Sequence, residues 1–199
     1  MPEIIKNIPL TFIPLFVAID IFAVLPIFLA MTHGLSASKQ KKAINESIIT
    51  ALFVSIVFIA IGEGIFRILG ITNDDFKIAG GLVLLVFAIM DLMRRKVIPE
   101  KADSRFGIVP IGVPLIVGPA VLTTLLVLVD HYGAAPAIIS LLLNLLIVWL
   151  CFKKGQTILK VFGEGGIIAV SKVMALLLAS IAVMMIRIGI VNIIMRNAG

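Results

Sequence analysis

The sequence predicts an all-α membrane protein: six transmembrane helices, built as two inverted three-helix repeats, with the first helix of each repeat broken. Three observations predict it. The chain has 199 residues, 61% hydrophobic and 14% charged, with a mean hydropathy of +1.21; soluble domains average about 45–50% apolar and about 25% charged. Its apolar residues form continuous runs near the ~20 residues that a bilayer-spanning helix needs, not the roughly ten-residue alternation of a membrane barrel. Finally, landmarks in the first half recur in the second at an offset of 93 positions.

The first predicted span covers 8–32 and contains "DIFAVLPIFLAMT" at 20–32. Proline removes a backbone N–H and presses on the carbonyl four residues back, so Pro26 marks a broken helix. An acid at mid-span costs about 2.5–3.5 kcal/mol on insertion scales, so Asp20 has a role. It either carries a coupling proton or accepts hydrogen bonds at the break. The second span, 44–69, ends with Glu63 and Arg67 at pairing distance on a helix. In the third, 76–93, Gly80 and Gly81 allow close helix packing or line a binding site. Asp91 there is expected to pair with Arg94 and Arg95. A cytoplasmic linker follows at 95–106.

The fourth span, 107–129, carries the second break, "VPLIVGPAV" at 113–121. Gly118 and Pro119 interrupt it, and Thr123 and Thr124 offer hydroxyls one turn on. The fifth, 134–152, runs on toward Phe162 and holds Asn144 at mid-span, where an interhelical hydrogen bond is the simple reading. The sixth, 170–194, contains Arg187 near enough to its end to snorkel outward.

Twelve Lys and Arg residues follow the first, third and fifth spans: Lys39, Lys41 and Lys42; Arg94, Arg95, Lys96, Lys101 and Arg105; Lys153, Lys154, Lys160 and Lys172. The opposite side has four: Lys6, Arg67, Lys77 and Arg196. The positive-inside rule then places both termini outside. Shifted by 93, Pro26 meets Pro119, Gly70 meets Gly163 and Arg67 meets Lys160. Repeats at 8–94 and 107–193, three spans each, lie in the membrane in opposite senses within one transmembrane domain, 1–199. That is a frequent architecture of secondary transporters, whose sites lie near the midplane where helices are broken. The candidate substrate-binding residues are therefore Asp20, Pro26, Gly80, Gly81, Gly118, Pro119, Thr123, Thr124 and Asn144.

The usual enzyme signatures are absent: no HExxH, CxxC, GxSxG or P-loop, and neither His33 nor His131 has a partner at metal-ligand spacing. No catalytic residue, metal or cofactor is expected. The single cysteine, Cys151, excludes an intrachain disulfide and reads as an apolar filler. The net charge of +6 sits in short loops, which argues against nucleic acid. The expected partners are the bilayer, a small-molecule substrate and a coupling proton or sodium ion; nothing in the sequence speaks to oligomeric state.

"FVAIDIFAVLPIFLAMT" at 16–32, "FKIAGGLVLL" at 76–85, "VPIGVPLIVGPAVLTTLL" at 109–126 and "SKVMALLLASIAVMMIRIGI" at 171–190 together resemble the MarC family of bacterial and archaeal inner-membrane proteins, in the LysE-like transporter superfamily. Asp20, Pro26, Gly118 and Pro119 match the family's two motifs; Ile21, Ala23, Val24 and Ala120 depart from them. The resemblance implies a location in the inner (cytoplasmic) membrane and a secondary transporter of small neutral solutes, such as alanine or glycine, working by alternating access. A non-transporting membrane scaffold or accessory protein, and an exporter of another small metabolite, are the alternatives. An intramembrane enzyme is the least supported by the residues.

Overall fold

The computed structural model describes residues 2–93 and 116–198. Among these, all regular structure is helical: α1 (Pro2–Ile19), α2 (Ile21–Met31), α3 (Ala37–Leu69), α4 (Asn73–Met93), α5 (Pro119–Tyr132), α6 (Ala134–Lys153) and α7 (Gly155–Ala198). Four stretches are long and apolar enough to cross a membrane, in α3, α4, α6 and α7. α1 and α2 make a fifth if the pair, bent by 42°, is one span. The predicted fourth span, 107–129, is described only from residue 116. Its described helix, α5, has 14 residues, which reach about 21 Å against a ~30 Å hydrocarbon core. Residues 107–115 and the linker at 95–106 lie outside the described part of the chain.

Several boundaries move for identifiable reasons. α3 begins at Ala37, so Lys39, Lys41 and Lys42 occupy its polar first turns rather than a loop. The Ser36 hydroxyl accepts the Lys39 N–H (3.4 Å), and Lys42 pairs with Glu46 (3.7 Å). α4 begins earlier than the apolar run because Thr72 and Asp75 form a reciprocal cap. Asp75 donates its N–H to Thr72 Oγ1 (3.2 Å), while its carboxylate accepts the Thr72 N–H (3.0 Å). The expected loop after the fifth span is helical from Gly155, so Lys160 and Lys172 lie on a helix. The fifth span itself stops at Lys153, with Lys154 as its C-cap.

Leu15, Leu25, Leu84, Leu125 and Leu141 are fully buried where the helices meet. Large apolar residues such as Phe53, Leu82, Leu142 and Val183 face outward, as lipid requires. α4 and α7 form the tightest pair. A Cβ on Gly81 would sit 2.7 Å from the Ala182 carbonyl and 2.6 Å from Ile186 Cγ1, so only glycine admits this approach. Packing is reciprocal between the two halves: α4 rests on α5 and α7 on α2, while α3 touches α5 and α6 touches α2. Gly70, which ends α3, and Gly163, which interrupts α7, both adopt left-handed φ (68° and 66°). These are the two glycines that the 93-residue offset superimposes.

Candidate functional site

The chain breaks at Asp20, not at Pro26. Asp20 has φ 44° and ψ 63°, and it is the only non-glycine with positive φ among the described residues. That region costs an L-residue roughly 1–2 kcal/mol, and Asp and Asn tolerate it best because their short side chains bond locally. Here Asp20 Oδ1 accepts the Ala23 N–H at 3.4 Å and caps α2. Pro26 lies buried in the interior of α2, five residues past the helix start at Ile21.

The other carboxylate oxygen points into the bundle. The Ser171 hydroxyl, from α7, lies 3.1 Å from Asp20 Oδ2 and 3.3 Å from Asp91 Oδ2, on the last turn of α4. Ser171 is fully buried. Lys172, next along α7, donates its ammonium to the backbone carbonyl of Asp91. A serine hydroxyl has one hydrogen to donate, yet two carboxylates converge on it. Arg94 and Arg95, the expected partners of Asp91, lie outside the described residues, as do the side chains of Glu63 and Arg67. Sequence reading missed Ser171 and the inward role of Asp91. The available signal was an acid in the apolar run "VFAIMDLM", which the neighbouring arginines masked.

The remaining predicted residues fall elsewhere. Gly118 is the N-cap of α5 in extended backbone (φ −85°, ψ 177°), and Pro119 is its first residue, where a missing N–H costs nothing. Neither contributes a hydrogen bond to Asp20, whose described partners come from its own helix pair and from α7. Gly80 packs on the methyl of Thr123, joining α4 to α5, and Gly81 packs on α7. Asn144 donates its amide to the carbonyls of Ser140 (2.9 Å) and Phe12 (3.3 Å). With the Thr11–Ser140 hydroxyl pair at 2.7 Å, it ties α6 to α1, as the simple reading expected.

Thr124 is different. It is buried, its hydroxyl has no hydrogen-bond partner among the described residues, and it lines a cavity of about 130 Å³ between α1, α4, α5 and α7. A water's share of liquid volume is about 30 Å³, so the space suits a small solute. Leu128 and Met185 form apolar wall, and Lys77 and His131 supply polar groups. Lys77 is buried and pairs with Asp130 at 3.2 Å and Asp74 at 3.4 Å. Asn192 and Arg196 reach Asp74 from α7 at 2.9 and 3.9 Å. Fourteen residues of α4 separate Lys77 from Asp91, about 21 Å of helix. Asp20 and Thr124 thus lie toward opposite ends of the α4–α7 pair rather than in one pocket.

The model of the family described as MarC family integral membrane protein matches residues 5–194. The chain belongs to the MarC family. Among its relatives, a UPF0056 membrane protein of Methanocaldococcus jannaschii is 30% identical over 194 residues, covering 91% of this chain and 94% of the relative. Others from Pyrococcus abyssi and Buchnera aphidicola are each 27% identical, over 196 and 191 residues, covering 96% and 92% of this chain and 97% and 90% of the relatives. Their names say that they are membrane proteins. No solved structure matches this chain. Family membership and the apolar helices together make it an integral membrane protein.

Proposed function

We propose that this MarC family protein is a secondary transporter of small neutral solutes, small amino acids such as alanine or glycine among them, driven by protons through the Asp20–Ser171–Asp91 cluster. One observation carries the reading: a strained non-glycine acid at a helix break meets a second acid inside the bundle, across a single hydroxyl. If Ser171 donates to one carboxylate, the other keeps a hydrogen bond to Ser171 only by bringing a proton of its own. The pair therefore suits one exchangeable proton between two acids. The cavity beside Thr124 is the proposed solute site, with an unsatisfied hydroxyl, apolar walls and room for a few heavy atoms.

The inverted-repeat reading is supported by the reciprocal packing of α4 on α5 and α7 on α2, and by the positive φ shared by Gly70 and Gly163. Alternating access then comes from one repeat rocking against the other. The basic-residue bias favours both termini outside, in a cytoplasmic membrane. No role as an enzyme is proposed.

The test is uptake into proteoliposomes of alanine, glycine and a panel of other small neutral solutes, with and without an inward proton gradient. The expected result is saturable uptake of at least one solute, stimulated by the gradient and lost in Thr124→Leu. An absence of flux across the panel favours the scaffold reading and contradicts this one.

A further inference from the structure

A second and larger cavity, about 370 Å³, opens where α2 ends, α3 begins, α6 ends and α7 begins. Lys41, Lys153 and Lys154 line it, with Gln156 and Thr157. No carboxylate pairs with these three lysines among the described residues. The first turn of α7 lines the same cavity at Gly155, Gln156 and Thr157, and a helix start carries a positive partial charge. Lys153 lies 4.7 Å above the Trp149 ring, and the Trp149 indole donates to Asn45 Oδ1 at 3.1 Å. A tryptophan and lysines at the end of an apolar span mark the membrane–water interface.

The floor of the cavity is apolar. Phe28 stacks on Phe152 at 3.9 Å beside Leu29 and Ile44. From Asn45, Ile49 and Phe53 follow on the same face of α3 at helical spacing; from Trp149, Leu146 and Leu142 follow on α6. All four are exposed. Unpaired cations thus sit at interface level, directly below apolar strips that run toward the bilayer centre. A free anion has no use for the strips, and a zwitterionic headgroup has little use for three cations.

We infer that this cavity binds an anionic phospholipid: its phosphate among Lys41, Lys153, Lys154 and the start of α7, its acyl chains along α3 and α6. Basic pockets between membrane helices are a recurrent means of holding such headgroups. The site is separate from the Asp20 cluster and the Thr124 cavity, and it stands whether or not the chain transports a solute.

The experiment uses detergent-purified protein titrated with dioleoyl phosphatidylglycerol or dioleoyl phosphatidylcholine, with bound lipid counted by native mass spectrometry. Wild type is expected to bind the anionic lipid at least ~10-fold more tightly than the zwitterionic one. The triple variant Lys41→Gln, Lys153→Gln, Lys154→Gln, altering exposed side chains only, is expected to lose that preference. Gln156→Glu is expected to weaken it by repelling the phosphate. A control with the same charge loss, Lys39→Gln, Lys42→Gln, Lys160→Gln, is expected to keep it. Equal loss in both triple variants, or no preference in wild type, overturns the inference. So does inorganic phosphate that occupies the site as tightly as the lipid, since the occupant is then a soluble anion.

Discussion

The two ends of the α4–α7 pair are built from the same kinds of residue and balanced in opposite ways. At the Lys77 end, two cations meet two acids: Lys77 with Asp74 and Asp130, and Arg196 with Asp74, with Asn192 adding a further donor. Each carboxylate there has a cation within 4 Å. At the Asp20 end, two carboxylates converge on one hydroxyl, with Lys172 beside them. A closed ion-pair network resists change, because removing any member strands a buried charge. Two acids that share one hydroxyl suit a single proton held between them. The comparison assigns a fastening role to one end and an exchanging role to the other.

The largest predicted effect breaks the fastened end. Lys77→Met removes the buried cation shared by Asp74 and Asp130 and is expected to cost about 3 kcal/mol, read as a fall in unfolding temperature in detergent. Next, Gly81→Val drives a branched side chain into the Ala182 carbonyl and Ile186. Overpacking of this kind costs about 1–3 kcal/mol, and both ends of the helix pair are expected to loosen together in hydrogen exchange. Asp20→Ala loses the α2 cap and keeps the left-handed backbone, for roughly 1–2 kcal/mol. Asp20→Asn tolerates both and is expected to unfold within about 0.5 kcal/mol of wild type. Ser171→Ala is expected to cost about 1 kcal/mol or less and to change the pH dependence of uptake while leaving the unfolding temperature nearly unmoved. If Asp20→Asn destabilised the protein as much as Lys77→Met, both ends would be fasteners and the contrast would disappear.

Much of this was legible in the sequence. Continuous apolar runs locate α3, α4, α6 and the apolar part of α7, because lipid imposes one rule along the whole length of a span. An acid in an apolar run drew attention to Asp20, and the 93-residue offset matched two glycines that both have positive φ. Pro26 misled, since it sits inside a helix and the break lies at Asp20, whereas Gly118 and Pro119 do mark a helix start. Ser171, Lys77 and Asp130 were missed because their importance comes from partners distant in sequence: 151 residues separate Ser171 from Asp20. The expectation of one convergent pocket came from repeat symmetry, which fixes related positions but not the side chains that fill them. Gly80, expected at a site, is occupied by the Thr123 methyl, whereas Thr124 faces a cavity with its hydroxyl unspent.

The most direct measurement compares wild type with Asp20→Asn in proteoliposomes, for a transported solute, in two modes: gradient-driven accumulation and solute counterflow at equal pH. An asparagine keeps the bend and the hydrogen bond to Ser171 but takes no exchangeable proton. Accumulation should vanish in the variant while counterflow persists. Accumulation at the wild-type rate, with the same response to pH, would contradict the assignment of Asp20 as the proton carrier.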